Sequence, residues 1–213
     1  MKIAIIGSKG RMGQAICEAL NEKFELIEID KTVSIETARD AEIVIDFSSG
    51  ENSAKTAVWC EKNNKKLIIG ATGQTKSELK KIVNTSENNI VVMAGNFSIG
   101  IARIKKILKT ILTADVQSVS VIEKHHKDKK DSPSGTAIEL KAVIESLTNK
   151  SVQVCSVRGG KEIGTHEIDV YYENEVIRIS HQAFSREAFV RGVELSVDFV
   201  KNQSEPGLYE FRI

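Results

Sequence analysis

Short apolar runs, each followed by a helix-periodic stretch, set the rhythm of the first half of the chain. Lys2-Ile-Ala-Ile-Ile6 runs straight into Gly7-Ser-Lys-Gly10-Arg-Met-Gly13, and a continuous apolar run of that length bounded by glycine reads as a buried strand. Gln14 to Asn21 then reads as a helix and Phe24 to Asp30 as a second strand. Ala41 to Phe47 is a third strand, Asn52 to Asn63 a helix, Lys66 to Thr72 a fourth strand, Lys76 to Val83 a helix, and Ile90 to Asn96 a fifth strand. Only the ten residues Lys31 to Asp40 separate the second and third strands, so that connection is compact. Strands alternating with helices predict an α/β fold with a Rossmann-type, doubly wound parallel sheet. Trp59, on the second helix, is expected to pack in the core, because large aromatics mostly supply buried area.

The pattern changes after Asn96. Ile99 to Leu112 is an apolar-periodic helix, Val119 to Ile122 a strand, and Ala137 to Ile144 an amphipathic helix. Ser151 to Val157, His166 to Tyr172 and Glu175 to His181 alternate apolar and polar residues, and Glu173-Asn174 joins the last two as a hairpin. This is antiparallel material, so a second α+β domain built on a mainly antiparallel open sheet is expected. Ser185 to Val200 forms a final helix, apolar through Phe189, Val193, Val197 and Val200, that returns to the first domain. The expected division is residues 1–96 plus about 184–213 as the first domain, with 97–183 between them as the second.

Composition narrows the function. Of the 213 residues, 41% are hydrophobic and 28% charged, with a net charge of +1. That balance is typical of a soluble globular protein, and it argues against an electrostatic nucleic-acid binder, which shows a strongly basic face. No apolar run approaches the roughly 20 residues of a membrane span, and the N-terminal apolar run is too short for a signal peptide. Cys17, Cys60 and Cys155 are odd in number and lack a Cys-x-x-Cys. They fit a reducing cytoplasm and are expected to be small buried hydrophobes. No zinc-ligand spacing occurs, so no metal is expected.

The glycines carry the first chemistry. In a strand–loop–helix context Gly7 permits a tight turn, Gly10 lets backbone approach a pyrophosphate, and Gly13 lets helix and strand pack closely. Asp30 ends the second strand, where an acid meets the adenosine ribose of a dinucleotide. In a doubly wound sheet the ligand lies at the carboxyl ends of the strands. The cofactor candidates there are Gly7, Ser8, Lys9, Gly10, Arg11 and Met12 in the first loop, with Asp30 and Lys31 after the second strand. Phe47, then Gly70, Ala71 and Thr72, and finally Ala94, Gly95, Asn96 and Phe97 end the next three strands. Asp30 favours the ribose hydroxyls of NADH, while Lys31, Lys9 and Arg11 bring positive charge for the 2′-phosphate of NADPH. Use of both cofactors with a modest NADH preference is expected.

The second chemistry lies between Glu123 and Ala137, Glu-Lys-His-His-Lys-Asp-Lys-Lys-Asp-Ser-Pro-Ser-Gly-Thr-Ala. Ser132 is the expected N-cap and Pro133 the first helical residue, a position where its missing N–H costs nothing. The N–H groups of Ser134, Gly135 and Thr136 would then face outward at the positive end of the helix dipole, ready for a carboxylate or phosphate. His125, His126 and the surrounding lysines make this a cationic pocket with acid–base groups. Gly164-Thr165-His166 and His181 could approach this site, but a lone strand histidine is more often structural, and that is the expectation for both.

These residues resemble those of the 4-hydroxy-tetrahydrodipicolinate reductase (dihydrodipicolinate reductase) family. The resemblance rests on Glu123-x-His-His-x-x-Lys129-x-Asp131-x-Pro-Ser-Gly-Thr-Ala137, behind the glycine fingerprint. Ile45-Asp-Phe47, Gly70-Ala-Thr-Gly73, Asn96-Phe97-Ser98, Arg158-x-Gly160, Gly164-x-His166 and His181-x-Ala-x-Ser-Arg186 stand in the family's order. It implies NAD(P)H-dependent reduction of a cyclic dicarboxylate, with loss of water, in the diaminopimelate route to lysine. By position, His125 is then the acid–base residue and Lys129 the proton donor. His126 contacts substrate, and Gly135 and Thr136 hold a substrate carboxylate beside Ser134. A homotetramer joined through the second domain's sheet is implied as well. The chain is short for the family after Asp30, and Ser49 stands where some relatives carry an arginine near the cofactor. A different two-domain NAD(P) oxidoreductase would share the glycine loop but not the His-His to Pro-Ser-Gly-Thr stretch.

Overall fold

The computed structural model of the chain describes residues 1–211 and 213. It divides into two compact units, one made of Met1–Phe97 with the segment Phe189–Phe211, the other of Ser98–Ala188 with Ile213.

In the first unit, β1 (Lys2–Ile6), β2 (Glu25–Ile29), β3 (Ile43–Asp46), β4 (Lys66–Ile69) and β5 (Ile90–Met93) form a parallel sheet. A further strand, β10 (Gly207–Glu210), pairs in parallel with β5 to give the order β10-β5-β4-β3-β1-β2. The parallel sheet is as expected, but β10 was not. Its four residues alternate half-buried and exposed at the sheet's edge, so they lack the apolar run that marks a central strand. Ile3, Ile5, Val44, Ile45, Leu67, Ile68, Ile69 and Val91 have essentially no exposed surface, as befits strands covered on both faces.

The intervening helices are α1 (Arg11–Leu20), α2 (Gly50–Lys62) and α3 (Lys76–Ser86). The compact connection after Asp30 is a short 3-10 helix, Ile35–Asp40, capped by the Ser34 hydroxyl. Trp59 packs against the core while partly exposed, and its indole N–H donates to Glu36 Oε1 at 2.9 Å. The returning helix α6 (Glu187–Asn202) buries Val190, Val193, Val197 and Val200. Gly192 lets it approach the backbone closely, because a Cβ there would stand 1.8 Å from the Phe97 carbonyl oxygen. The Lys66 ammonium gathers the carbonyls of Val200, Lys201 and Gln203 at the end of α6, where helix carbonyls lack intrahelical partners.

The second unit holds β6 (Ser118–His125), β7 (Gln153–Arg158), β8 (Thr165–Tyr171) and β9 (Val176–Gln182), in the order β7-β6-β8-β9. The β6–β8 and β8–β9 pairs are antiparallel, but β7 runs parallel to β6, contrary to its reading as antiparallel material. The reason is the crossover: helix α5 (Gly135–Thr148) connects β6 to β7, and such a connection returns the chain in the same direction. Helices α4 (Ile99–Ile111) and α5 share a core with the sheet through Ile104, Leu108, Leu140, Ile144, Val121 and Ile168. Of the cysteines only Cys60 is buried; Cys155 is exposed on the edge strand β7, where alternate side chains point to solvent.

Candidate active site

The loop between β1 and α1 shows why its glycines are there. Gly7 has φ +84°, a left-handed conformation that a Cβ would strain. A Cβ on Gly13 would lie 2.1 Å from the Gly7 carbonyl oxygen, so the helix packs on its own loop. Helix α1 begins at Arg11, three residues earlier than the apolar pattern indicates, with Gly10 as N-cap. Serine or threonine side chains cap α2 to α5, but no side chain caps α1 and no acid lies in its first turn. A start of that kind fits a bound pyrophosphate, and the residues present therefore fit a dinucleotide. The Gly7 and Ser8 N–H groups donate to the Ile29 carbonyl, and Gly10 N–H donates to the Gly7 carbonyl, so these amides brace the loop.

The other cofactor candidates divide by exposure. Asp30 and Lys31 are accessible. Asp30 Oδ1 accepts from both the backbone N–H and the hydroxyl of Thr32, each at 2.7 Å, and these bonds lower its pKa. Lys9 pairs with Glu28, a second acid near the end of β2, at 3.4 Å. Phe47 stands over Gly70, where a Cβ would collide with its ring at 2.1 Å, and it packs on Phe97 with ring centroids 5.6 Å apart. Ser8, Ala71, Ala94 and Phe97 are buried, so they shape the loops from beneath; Met12, Gly70 and Asn96 are half-buried, and Thr72 and Gly95 are exposed. Ser49 is the N-cap of α2.

The second cluster begins on β6, which runs further than the apolar residues indicated and ends at His125. Period-2 alternation puts Val119, Val121, Glu123 and His125 on one buried face. Glu123 has no exposed surface and His125 is 7% exposed. His125 Nδ1 donates to Glu123 Oε2. Arg158, at the end of β7, grips the same carboxylate with Nη1 at 2.9 Å and Nη2 at 2.7 Å. Nη2 also donates to the Asp131 carbonyl at 2.7 Å. Burial pushes the Glu123 carboxyl up, but hydrogen bonds from Arg158, Ser156 and His125 outweigh it and hold the pKa at about 2. Burial lowers the pKa of His125, reinforced by Lys129 and Arg158 and opposed by Glu123.

The helix start departs from expectation. The N-cap of α5 is Ser134, not Ser132; its hydroxyl accepts from the Ala137 N–H, and the helix begins at Gly135. Pro133 therefore precedes the helix, after a cis peptide bond. The Ser134 N–H does not face outward, because it donates to Glu123 Oε1 at 3.2 Å. Lys129 Nζ lies 2.9 Å from Asp131 Oδ1. Burial raises the Asp131 pKa, but Lys129 and the backbone N–H of Gly135 more than reverse that. Lys129, Asp131 and Gly135 thus already form a carboxylate-binding arrangement. His126 is half-buried at the start of the following loop, its N–H bonded to the Glu162 carbonyl at 2.7 Å; Thr136 is buried in the first turn of α5.

His166 lies with its ring 5.3 Å from that of His125, edge to face, and its Nε2 is 3.3 Å from Ser134 Oγ. Burial, then the positive potential of His125 and His181, drives its pKa down to about 3, so it is neutral near pH 7. His181 Nε2 is 3.1 Å from Ser98 Oγ, the N-cap of α4, and Gly100 leaves room for its ring. His181 also lies beside His166, with ring centroids 6.5 Å apart, so both strand histidines border the His125 cluster.

The two halves of the chain match two family models: residues 1–97 that of "Dihydrodipicolinate reductase, N-terminus" and residues 100–212 that of "Dihydrodipicolinate reductase, C-terminus". The chain belongs to the dihydrodipicolinate reductase family. A 4-hydroxy-tetrahydrodipicolinate reductase of Thermosipho africanus is 35% identical over 215 residues, covering 100% of this chain and 96% of the relative. One of Archaeoglobus fulgidus is 27% identical over 98% of this chain and 97% of its own. The Thermosipho protein is of similar length to this chain, whereas the Archaeoglobus alignment extends over 253 positions. Among solved structures, a dipicolinate-bound dihydrodipicolinate reductase from Paenisporosarcina sp. TG-14 shares the fold, with TM-score 0.78 and 22% identity over 99% of this chain and 97% of that one. An aspartate dehydrogenase from Thermotoga maritima shares it more distantly, with TM-score 0.60 and 14% identity over 97% of this chain and 99% of that one.

Proposed function

We propose that the chain reduces 4-hydroxy-tetrahydrodipicolinate to tetrahydrodipicolinate, with loss of water and oxidation of NAD(P)H, in the diaminopimelate route to lysine. The observation that supports this best is the buried Glu123–His125–Arg158 group, next to Lys129 and the start of α5. Acid–base chemistry and carboxylate binding meet there, as a cyclic dicarboxylate substrate requires.

In the first unit, the α1 start from Gly10 to Met12 would hold the pyrophosphate and Asp30 the adenosine ribose. A bound reduced nicotinamide supplies the hydride that adds to the substrate ring. In the second unit a substrate carboxylate replaces the exposed Asp131 carboxyl at Lys129 and Gly135, with Thr136 beside them. His126 contacts substrate. The 4-hydroxyl leaves as water, and the hydride-accepting ring system takes one proton, furnished by Lys129 Nζ with His125 as the acid–base partner. A coupled assay with the upstream synthase, pyruvate and aspartate semialdehyde should show NADH oxidation that depends on this protein. Absence of that oxidation, with nucleotide bound, refutes the reading.

Both cofactors are used, with a modest preference for NADH. Asp30 and Glu28 oppose the 2′-phosphate of NADPH, and Lys9 is already paired with Glu28. Lys31 compensates only partly, since lysine is a flexible point charge without the bidentate fork of arginine. Lys31→Ala is expected to weaken NADPH more than NADH, and Asp30→Ala the reverse. Parallel titrations of the two cofactors check this, and a strong wild-type preference for NADPH would contradict it.

The enzyme acts in the cytoplasm, and no helix among the described residues is long and apolar enough to cross a membrane. A homotetramer joined through the second unit's sheet is part of the same reading. Tyr171 and Val176, paired neighbours on β8 and β9, are 39% and 47% exposed, apolar surface consistent with burial against other copies. Sedimentation equilibrium tests it; a monomer at micromolar concentration would exclude it.

A further inference from the structure

We propose that Glu123, held by Arg158, is a positioning residue that fixes His125 as the Nδ1–H tautomer and leaves Nε2 as its working nitrogen. The inference deepens the proposed function, since it assigns how the acid–base histidine of that site is set.

The argument starts from β6. Residues two apart on a strand share a face, so Glu123 and His125 meet without any loop to adjust. A carboxylate can only accept a hydrogen bond, whereas a neutral imidazole has one donor and one acceptor nitrogen. The contact between Glu123 Oε2 and His125 Nδ1 therefore places the proton on Nδ1 whenever the carboxyl is ionised. The carboxyl is kept ionised by the two Arg158 bonds, and the Ser134 N–H adds a third donor. With Nδ1 committed, Nε2 alone is left to gain or lose a proton.

Two details hold the ring in that orientation. His125 Nε2 faces Gly164, where a Cβ would come within 3.0 Å, so the ring rests against bare backbone. On another side His166 meets it edge to face. Arg158 reaches beyond Glu123 as well, because Nη2 also bonds the Asp131 carbonyl. One guanidinium thus ties the histidine's orienting carboxylate to the segment that carries Lys129. Carboxylate–histidine pairs of this kind set ring tautomer in many acid–base sites, and an amide in place of the carboxylate inverts it.

The test begins with the wild-type protein. In ¹⁵N-labelled enzyme near pH 8, two-bond ¹H–¹⁵N correlation spectra should show His125 with a protonated Nδ1 and an unprotonated Nε2. A protonated Nε2, or an even mixture, overturns the proposal whether or not the protein turns over substrate. In Glu123→Gln the side-chain amide donates to Nδ1, so the spectrum should shift to the Nε2–H form. kcat should fall about 10- to 100-fold, less than for loss of the histidine itself. KM and the affinity for pyridine-2,6-dicarboxylate should stay near wild type. Glu123→Asp, which keeps the charge, should retain the Nδ1–H form and recover part of kcat. A merely structural Glu123 would lower the melting temperature of both variants without moving the tautomer, and that result overturns the proposal. A wild-type protein with the Nδ1–H form but no reductase activity would instead count against the proposed function alone.

Discussion

His125→Ala is expected to lower kcat by about two to four orders of magnitude, the usual worth of a placed acid–base group. Lys129→Ala is expected to fall in the same range, for loss of the proposed proton donor. NADH affinity should be unchanged in both, because the nucleotide loops belong to the other unit. The fold should tolerate the first change, since Glu123 keeps Arg158 and the Ser134 N–H as partners after the imidazole is gone. Steady-state kinetics with a parallel fluorescence titration of NADH separates the two effects. Near-full turnover in both variants would remove these residues from the chemistry.

Arg158→Leu is expected to be the most destabilising single change at the site. It removes the cationic partner of a carboxylate that has no exposed surface and leaves it His125, Ser156 and the Ser134 N–H, and breaking a buried pair in this way costs about 3–5 kcal/mol. The pH dependence follows from the depressed pKa of Glu123, about 2 against an ordinary 4.5. A carboxyl shifted down in the folded state contributes stability that is complete above its unfolded pKa. That contribution is lost as pH falls through the window towards the folded value. Wild-type stability should therefore drop between about pH 4.5 and 2. In Arg158→Leu the carboxyl loses the guanidinium, its folded pKa rises towards or past the unfolded value, and this acid-dependent loss of stability shrinks or disappears. Urea unfolding at a series of pH values measures both effects. An unchanged midpoint in Arg158→Leu would show that the pair does not hold this end of β6.

The sequence made the parallel sheet and the glycine loop legible because both rest on local rules. Continuous apolar runs mark strands buried on both faces, and a glycine spaced for close packing has one natural place between strand and helix. β10 escaped because an edge strand with alternating exposure carries no such run. The direction of β7 escaped because alternation reports only that one face is covered; direction comes from the connection. At the site, His125, His126 and Lys129 were legible as a cationic, titratable group, but the partners of His125 were not singled out. Glu123 was within reach, since a strand period of two places it on the face of His125. Arg158 stood only in the resemblance and His166 was weighed as structural, because they arrive 33 and 41 residues after His125, through strand pairing that no local pattern encodes. The cap was misplaced by two residues because Ser132 and Ser134 are chemically equivalent candidates. What selects Ser134 is a distant carboxylate that takes its N–H.

The route of the chain also bears on how the molecule is made. The sheet of the first unit gains its last strand from β10, which follows α6 and pairs with β5 more than a hundred residues earlier. All four strands of the other sheet lie between those two segments. During synthesis the inner unit has every strand it needs before the outer one does, and domains fold as units while the chain emerges. Until α6 and β10 arrive, the nascent nucleotide-binding half exposes the open edge of β5 and the surface that Gly192 later covers at Phe97. An unpaired strand edge of this kind is a template for association with other chains. Once β9 has emerged the second unit therefore has all its strands, while the sheet of the first still lacks its edge strand.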